Sequence, residues 1–287
     1  MDKYVSVIGG AHVKVSATSF GRLIGEDDMG VISLSLGGVA RNLSEKLSLM
    51  GINVKLITAL GKDGFASEIM SACNKKGIDY SYSLITDDPT SIVTEISDER
   101  REKTFKVLDQ RVLRNMDMDF FVSRLDVLNG SAACFIDTEF DFDKLEFLCQ
   151  NITCPIFIDT VSVKESSKLK GVLKYIHTIK PNKAELENLV GFSLENENNF
   201  RAATELILQA GTKNVFVTCG KEGVWFNDGI NFGHIDAGDE IFINKAGVGD
   251  VFKASLIKSF LANDGIKASA QSAVQASVDF LTGVAND

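Results

Sequence analysis

The sequence predicts an α/β protein: a three-layer α/β/α sandwich whose mainly parallel central sheet is covered by helices on both faces, with a second, smaller sheet. Three observations carry this. Short, predominantly apolar runs at 54–60, Ala133–Ile136 and 176–179 have the length and composition of strands buried on both faces. Each is followed by a stretch of helical periodicity, and this alternation of strand and helix is the pattern of a parallel sheet. The alternation is interrupted by runs of period two at 12–15, 31–35, 91–97 and 104–108, which fit a one-sided sheet drawn from about 12–36 and 90–109.

In chain order, the apolar run Tyr4–Ile8 ends at Gly9-Gly10, as a buried first strand does where its C-terminal end opens onto a site. Gly37-Gly38 precede a helix over 39–50, with Val39, Leu43, Leu47 and Met50 on one face and Gly51 as its stop. A strand at 54–60, a turn at 61–64 and a helix at 65–76 closed by Gly77 follow. The strand-like runs 91–97 and 104–108, joined by the charged 98–103, form a hairpin that partners the early strands as a lid. Alternation then resumes with a helix at 120–128, strand Ala133–Ile136, helix 142–150, strand 155–158, helix 166–175 and strand 176–179. Asn182 caps a helix ending near Gly191, and Glu185 stands three residues on, as in a capping box. A helix at 200–210 and a strand at 214–219 lead into a tight turn and a strand pair punctuated by Gly223 and Gly229, and helices at 251–261 and 268–281 close the chain.

Composition narrows the class of function. The chain has 287 residues, 45% of them hydrophobic, enough to bury a full core as one large domain. A formal net charge of -9 argues against a nucleic-acid backbone or an anionic membrane surface as the main partner. Five scattered cysteines without a CxxC pair indicate neither a disulfide framework nor a zinc site, and they read as buried thiols of a reducing cytoplasm. The first residues run straight into a strand without the regions of a signal peptide, and no apolar run has the length of a membrane span.

Chemistry concentrates at Asn244-Lys245-Ala246-Gly247-Val248-Gly249-Asp250, followed by Val251, Phe252, Ala254, Leu256, Ile257 and Phe260 at helical spacing. Amides at the start of a buried helix cradle an anion, because unpaired N–H groups and the helix dipole both favour negative charge. Asp250 at the same place either stabilises the first helical turn or acts as a base beneath that anion; the motif alone leaves both open.

Three separated pieces stand in a recognisable order: Gly37-Gly38 with Asn42, Asn182-x-x-Glu185, and Gly247-x-Gly249-Asp250, with Thr218-x-Gly220 between the last two. The set resembles the ribokinase-like, PfkB-type carbohydrate and nucleoside kinases over essentially the whole chain. Gly37-Gly38-Val39-Ala40-Arg41-Asn42, Ile158-Asp159-Thr160-Val161-Ser162 and the segment His177 to Asn182 are similar to the forms found in the pseudouridine kinases among them.

The resemblance implies a transfer of the γ-phosphoryl group of ATP to a ribosyl primary hydroxyl, best matched by pseudouridine, with Mg²⁺ as companion ion. It assigns Asp250 as the base, Gly247, Val248 and Gly249 as an anion hole, and Lys14, Gly37, Gly38 and Asn42 to the acceptor. Asn182, Thr218, Gly220, Gly223 and Asn244 fall to ATP, and Glu185, with Asn182, to Mg²⁺ through water. It also implies a small-molecule partner and a homodimer that the lid strands permit. Four positions depart from the pattern. Lys14 stands where the family has an aspartate that grips sugar hydroxyls, and a lysine cannot accept a hydrogen bond. Ala246 replaces a threonine, and Val248, β-branched, replaces alanine in a loop where a positive φ would be costly. Glu139 stands where the pseudouridine kinases tend to have asparagine. These departures leave a second reading, a catalytically impaired paralogue that binds a nucleoside or nucleotide as a sensor or partner.

Overall fold

The apolar run Tyr4–Ile8 forms β1, one strand from the edge of an eight-stranded sheet, in a computed structural model that describes residues 3–21, 29–100, 104–160, 163–238 and 247–283. After it come β2 (His12–Ser19), β3 (Gly30–Gly37), α1 (Val39–Leu49), β4 (Asn53–Ile57), β5 (Ala59–Leu60), α2 (Gly64–Lys75), β6 (Leu84–Ile85), β7 (Ile92–Ser97) and β8 (Thr104–Asp109). The middle of the chain gives α3 (Met118–Val122), α4 (Leu125–Asn129), β9 (Ala133–Ile136), α5 (Phe142–Asn151), β10 (Ile156–Asp159), α6 (Val163–Ser166) and β11 (Thr178–Lys180). The remainder gives α7 (Lys183–Val190), α8 (Glu197–Gln209), β12 (Asn214–Thr218), β13 (Val224–Asn227), β14 (Phe232–Ile235), α9 (Val248–Leu261) and α10 (Ile266–Thr282).

The sheet runs β14-β13-β12-β11-β10-β9-β1-β4; its six strands from β12 to β4 are parallel, and only β13 and β14 are antiparallel. Alternation along each strand divides the core into layers. Val5 and Val7 pack with Leu43 and Leu47 of α1 and Ala254 and Ile257 of α9, whereas Ile8 belongs with Phe121, Leu145, Leu186 and Ile207 on the opposite face. Phe216 and Phe226 meet α9 and α10 through Phe252, Leu256 and Ala270. With the strands parallel, the turns after β1, β9, β10, β11 and β12 emerge along one edge, and that edge carries the site.

Four local expectations are corrected. The run 54–60 divides at Thr58, whose N–H donates to Ser83 Oγ (3.1 Å); β4 stays in the main sheet while β5 pairs with β6. The helix expected at 120–128 is two short ones: the Ser123 hydroxyl turns back to donate to the Phe120 carbonyl (2.7 Å), and Arg124 Nε donates to the Tyr82 carbonyl (2.8 Å). The helix expected at 166–175 is the single α turn of α6 followed by 3-10 turns at Ser167–Gly171 and Leu173–Tyr175. Gly171, a poor helix former, interrupts it against Phe142, whose ring would lie 2.8 Å from a Cβ at that position. Helix α9 begins at Val248 rather than 251, because Gly247 takes φ 95° and lets the turn close early.

The second sheet has the order β3-β2-β7-β8. Its register sets Lys14, Ser16, Ser33, Ser35, Glu95 and Lys106 on one face and Val15, Ala17, Ile32, Leu34, Ile96, Phe105 and Val107 on the other. On the apolar face Ile32, Leu34, Phe105 and Val107 are 60% to 72% exposed.

His12 opens β2 against Gly37, where a Cβ would lie 2.4 Å from its Nε2, and its Nδ1 finds no hydrogen-bond partner among the described residues. Burial, reinforced by the charges of Lys106, Arg41 and Lys14, lowers its pKa from 6.5 to about 4. Between those values the unfolded chain binds a proton that the fold excludes, so stability should fall as pH drops from 6.5 to about 4. His12→Gln should flatten that slope in urea midpoints measured across the same range.

Candidate active site

The first turn of α9 is shaped by one residue. Gly247 carries the left-handed φ of 95°, and Asp250 N–H and Val251 N–H both donate to its carbonyl (3.1 Å each). Among the described non-glycine residues only Asn263 has positive φ, so Val248 takes ordinary helical torsions and its β-branch costs the turn nothing. Among the described residues, a Cβ on Gly249 would meet no atom within 4 Å, which leaves open space beside the first turn. The amides of Val248 and Gly249 have no acceptor within the helix, the condition for holding an anion.

Asp250 stands on this turn with its side chain 13% exposed and Oδ1 3.0 Å from Lys253 Nζ, one turn further along α9. Lys253, buried, also reaches Asp159 Oδ2 at 2.8 Å, and the other oxygen of Asp159 lies 3.4 Å from Lys180 Nζ. Acid and ammonium thus alternate from the end of β11 to Asp250. Burial alone would raise the Asp159 pKa, but the Lys180 and Lys253 charges outweigh it and hold the carboxyl at about 2. Burial pulls the Lys253 pKa down, and Asp159 and Asp250 more than restore it, so the ammonium is kept. Sequence reasoning assigned no role to Asp159, Lys180 or Lys253, although the first two stand in segments it quoted. The available signal was a charged residue closing each of the apolar strands at 156–159 and 178–180, and a lysine inside an otherwise apolar helix.

A cavity of about 360 Å³ is lined by Asn182, Thr218, Gly220 and Gly223 together with Val248, Gly249 and Lys180. It brings the residues assigned to ATP to the start of α9. Asn244 lies outside the described residues. Gly223 is a glycine for reasons of the fold: its φ is 89°, and a Cβ would lie 2.0 Å from the Ile235 carbonyl oxygen. Asn182 and Glu185 form a complete capping box at α7. Asn182 Oδ1 accepts from Glu185 N–H (2.9 Å), and Glu185 Oε2 accepts from Asn182 N–H (2.8 Å) and from the Thr160 hydroxyl. Among the described residues no group of three or more His, Cys, Asp or Glu side chains could hold a metal ion. A hard cation here would therefore rely on waters and phosphate oxygens, the usual habit of Mg²⁺, and the all-oxygen, half-occupied carboxylate of Glu185 fits that role.

Gly37, Gly38 and Asn42 form a second group outside this cavity. Gly38, the N-cap of α1, has φ 102°, and a Cβ there would lie 2.3 Å from the Gly10 carbonyl oxygen. Arg41, buried, donates to the carbonyls of Leu36 (3.1 Å) and Gly37 (3.2 Å) and to Glu45 (2.9 Å), and its NH2 also reaches Asn42 Oδ1. The Arg41 main-chain N–H donates to the Gly10 carbonyl (3.4 Å), which joins the β3–α1 turn to the β1–β2 turn. Lys14 sits on the polar face of the small sheet, its Nζ 2.9 Å from Glu95 Oε2.

Two further acids sit at the end of β9. Asp137, fully buried, accepts from Gly10 N–H and Glu139 N–H (3.3 Å each), and burial together with the Glu139 charge raises its pKa. The Glu139 carboxylate lies over Gly10, with Oε2 2.3 Å from where a Cβ would be, and borders a second cavity of about 500 Å³ with Arg111, Arg114 and Lys144.

Comparison with known proteins shows the family. The model of the pfkB family carbohydrate kinases matches residues 3–278. Pseudouridine kinase of Escherichia coli is 26% identical over 228 residues, 78% of this chain and 73% of its own length. An uncharacterized sugar kinase of the same organism is 28% identical over 251 residues, 85% and 68% of the two chains. The crystal structure of a putative sugar kinase from Clostridium perfringens superposes with a TM-score of 0.89 at 27% identity, covering 100% of this chain and 93% of that one.

Gly38→Ala should cost about 2–4 kcal/mol, from backbone strain plus overlap with Gly10, read as a lowered urea midpoint with unchanged slope.

Proposed function

This chain belongs to the pfkB family of carbohydrate kinases, phosphotransferases that act on a hydroxyl group, and we propose on that premise that it phosphorylates a ribosyl primary hydroxyl, with pseudouridine as acceptor. The observation that carries the reading is Asp250 on the first turn of α9, next to an open amide cradle that lines the same cavity as Asn182, Thr218 and Gly220. ATP enters that cavity with its γ-phosphate towards the amides of Val248 and Gly249. Asp250 accepts the proton of the acceptor hydroxyl as the new O–P bond forms. Phosphoryl transfer needs alignment and compensated charge more than covalent chemistry, and these parts supply both. Glu185 with Asn182 would hold Mg²⁺ through water, where the ion supplies compensation of the phosphate charge.

The acceptor is argued from the Gly37 to Asn42 turn, which carries the sequence form seen in pseudouridine kinases, and from the similarity to such a kinase over 78% of the chain. Gly38 and Asn42 hold sugar hydroxyls in this reading, with Lys14 above them in the lid sheet. The alternative, a nucleoside-binding paralogue without turnover, draws on Lys14 and on Ala246, which lies outside the described residues. Val248, in ordinary helical conformation, lends it no support. Two copies of the chain would cover the exposed apolar face of the lid, forming a homodimer. A cytoplasmic setting accords with the five free thiols, and no helix among the described residues is long and apolar enough to cross a membrane.

Incubation with ATP, Mg²⁺ and a panel of pseudouridine, ribose, uridine, adenosine and fructose 6-phosphate should give phosphorylated pseudouridine with the highest kcat/KM. A different preferred acceptor overturns the substrate, and no product on any of them overturns the kinase reading. Asp250→Asn should lower kcat by roughly 10²–10⁴ with ATP affinity kept, measured by calorimetry beside turnover; undiminished turnover refutes its role as base.

A further inference from the structure

The alternating charges behind Asp250 are more than the fold requires. A lysine in the interior is costly unless its charge is matched, and Lys253 is surrounded by the apolar stripe of α9 with its Nζ 5.4 Å from the centre of the Phe135 ring. Packing would be served as well by a methionine. Lys253 has two carboxylate partners on different elements: Asp250 one turn earlier on α9, and Asp159 at the end of β10. It engages Oδ1 of Asp250, and Asp159 in turn reaches Lys180, which borders the cavity proposed for ATP.

We infer that Lys253, seated by Asp159, is a positioning residue for the phosphoryl transfer: it fixes the rotamer of Asp250 through one oxygen and holds that base ionised beside the negative charge of a bound triphosphate. This rests on the reading of Asp250 as the base. The physical need is plain. A triphosphate next to a carboxylate raises the carboxylate's proton affinity, and a base that is already protonated cannot take the acceptor's proton. A fixed ammonium at 3.0 Å, shared with Asp159 at 2.8 Å, opposes that change. In the reaction the acceptor oxygen bonds to the γ-phosphorus, the bond to the bridging oxygen breaks with its electron pair leaving on ADP, and the acceptor proton ends on Asp250. Lys253 keeps its protons throughout.

Other charged groups on the elements around the pair are accounted for. Lys180 comes from β11 and Asp137 from the end of β9, the latter lying within range of the Lys253 charge. Helix α1, packed on α9, carries Arg41 and Glu45, which are paired with one another, and α10 carries Asp279, bonded to Gln275.

The test uses Lys253→Met and the double variant Lys253→Met/Asp159→Asn, which removes both charges so that no lone carboxylate is left inside. Asp250 ionisation is followed by carboxyl ¹³C shifts, assigned with Asp250→Asn, which needs no turnover. The midpoint should rise by about one unit or more in the double variant, with cooperative thermal unfolding retained. The acid limb of the kcat–pH profile should rise by the same amount, while KM for ATP changes less than about threefold. An unmoved Asp250 midpoint in the folded double variant overturns the inference. A shifted midpoint without a shifted kcat profile also overturns it, reducing Lys253 to a structural ion pair. Absence of turnover by the wild type defeats the kinase reading instead, because the titration is read without catalysis.

Discussion

Parallel strands cannot be joined by tight turns, so every crossover returns to the same side of the sheet before the next strand begins. Five strand ends therefore deliver their loops to one edge, and with them Gly10, Asp137, Asp159, Asn182 and the turn at Gly220. Helix α9 meets this edge with its N-terminus. The antiparallel pair β13–β14 extends the sheet beyond this run and closes the far side of the cavity through Gly223, whose backbone touches the chain after β14.

At that edge, close backbone approach does what side chains do elsewhere. Gly38 stands where a Cβ would overlap the Gly10 main chain, and Gly9 and Gly10 leave room for the side chains of Asp137 and Glu139 from the loop after β9. Arg41 then braces the β3–α1 turn by donating its guanidinium to the carbonyls of Leu36 and Gly37, and its main-chain N–H reaches the Gly10 carbonyl across the two turns. The polar groups this brings inside are matched in series: Asp137 by main-chain N–H groups, Asp159 by two lysines, Glu185 by its own helix start and Thr160. The interior can hold these charges because each is paired, and the pairing fixes where they point.

Much of this was legible in the residues. Apolar runs broken by glycine announced the parallel sheet, and period-two runs announced the small one, because burial on two faces or one leaves different patterns. Asn182 and Glu185 read as a capping box, and the box is formed. What failed were helices set by local competition, such as 120–128, where a serine hydroxyl and a distant carbonyl at Tyr82 decide the break. In the site, residues next to glycines were found and the charges beneath them were not. Asp159, Lys180 and Lys253 are distant in sequence and become a unit only when β10, β11 and α9 are laid side by side. The concern over Val248 arose from reading a loop where the helix had already begun.

The single left-handed residue at Gly247 has a wider implication. By taking the left-handed torsion at the start of the helix, it lets the cradle be written in main-chain atoms, and a β-branched side chain at 248 meets no backbone cost. Such a site tolerates substitution at its very centre while remaining intolerant one residue earlier. Recognising relatives of this chain by the side chain at 248 would therefore miss members whose backbone is unchanged.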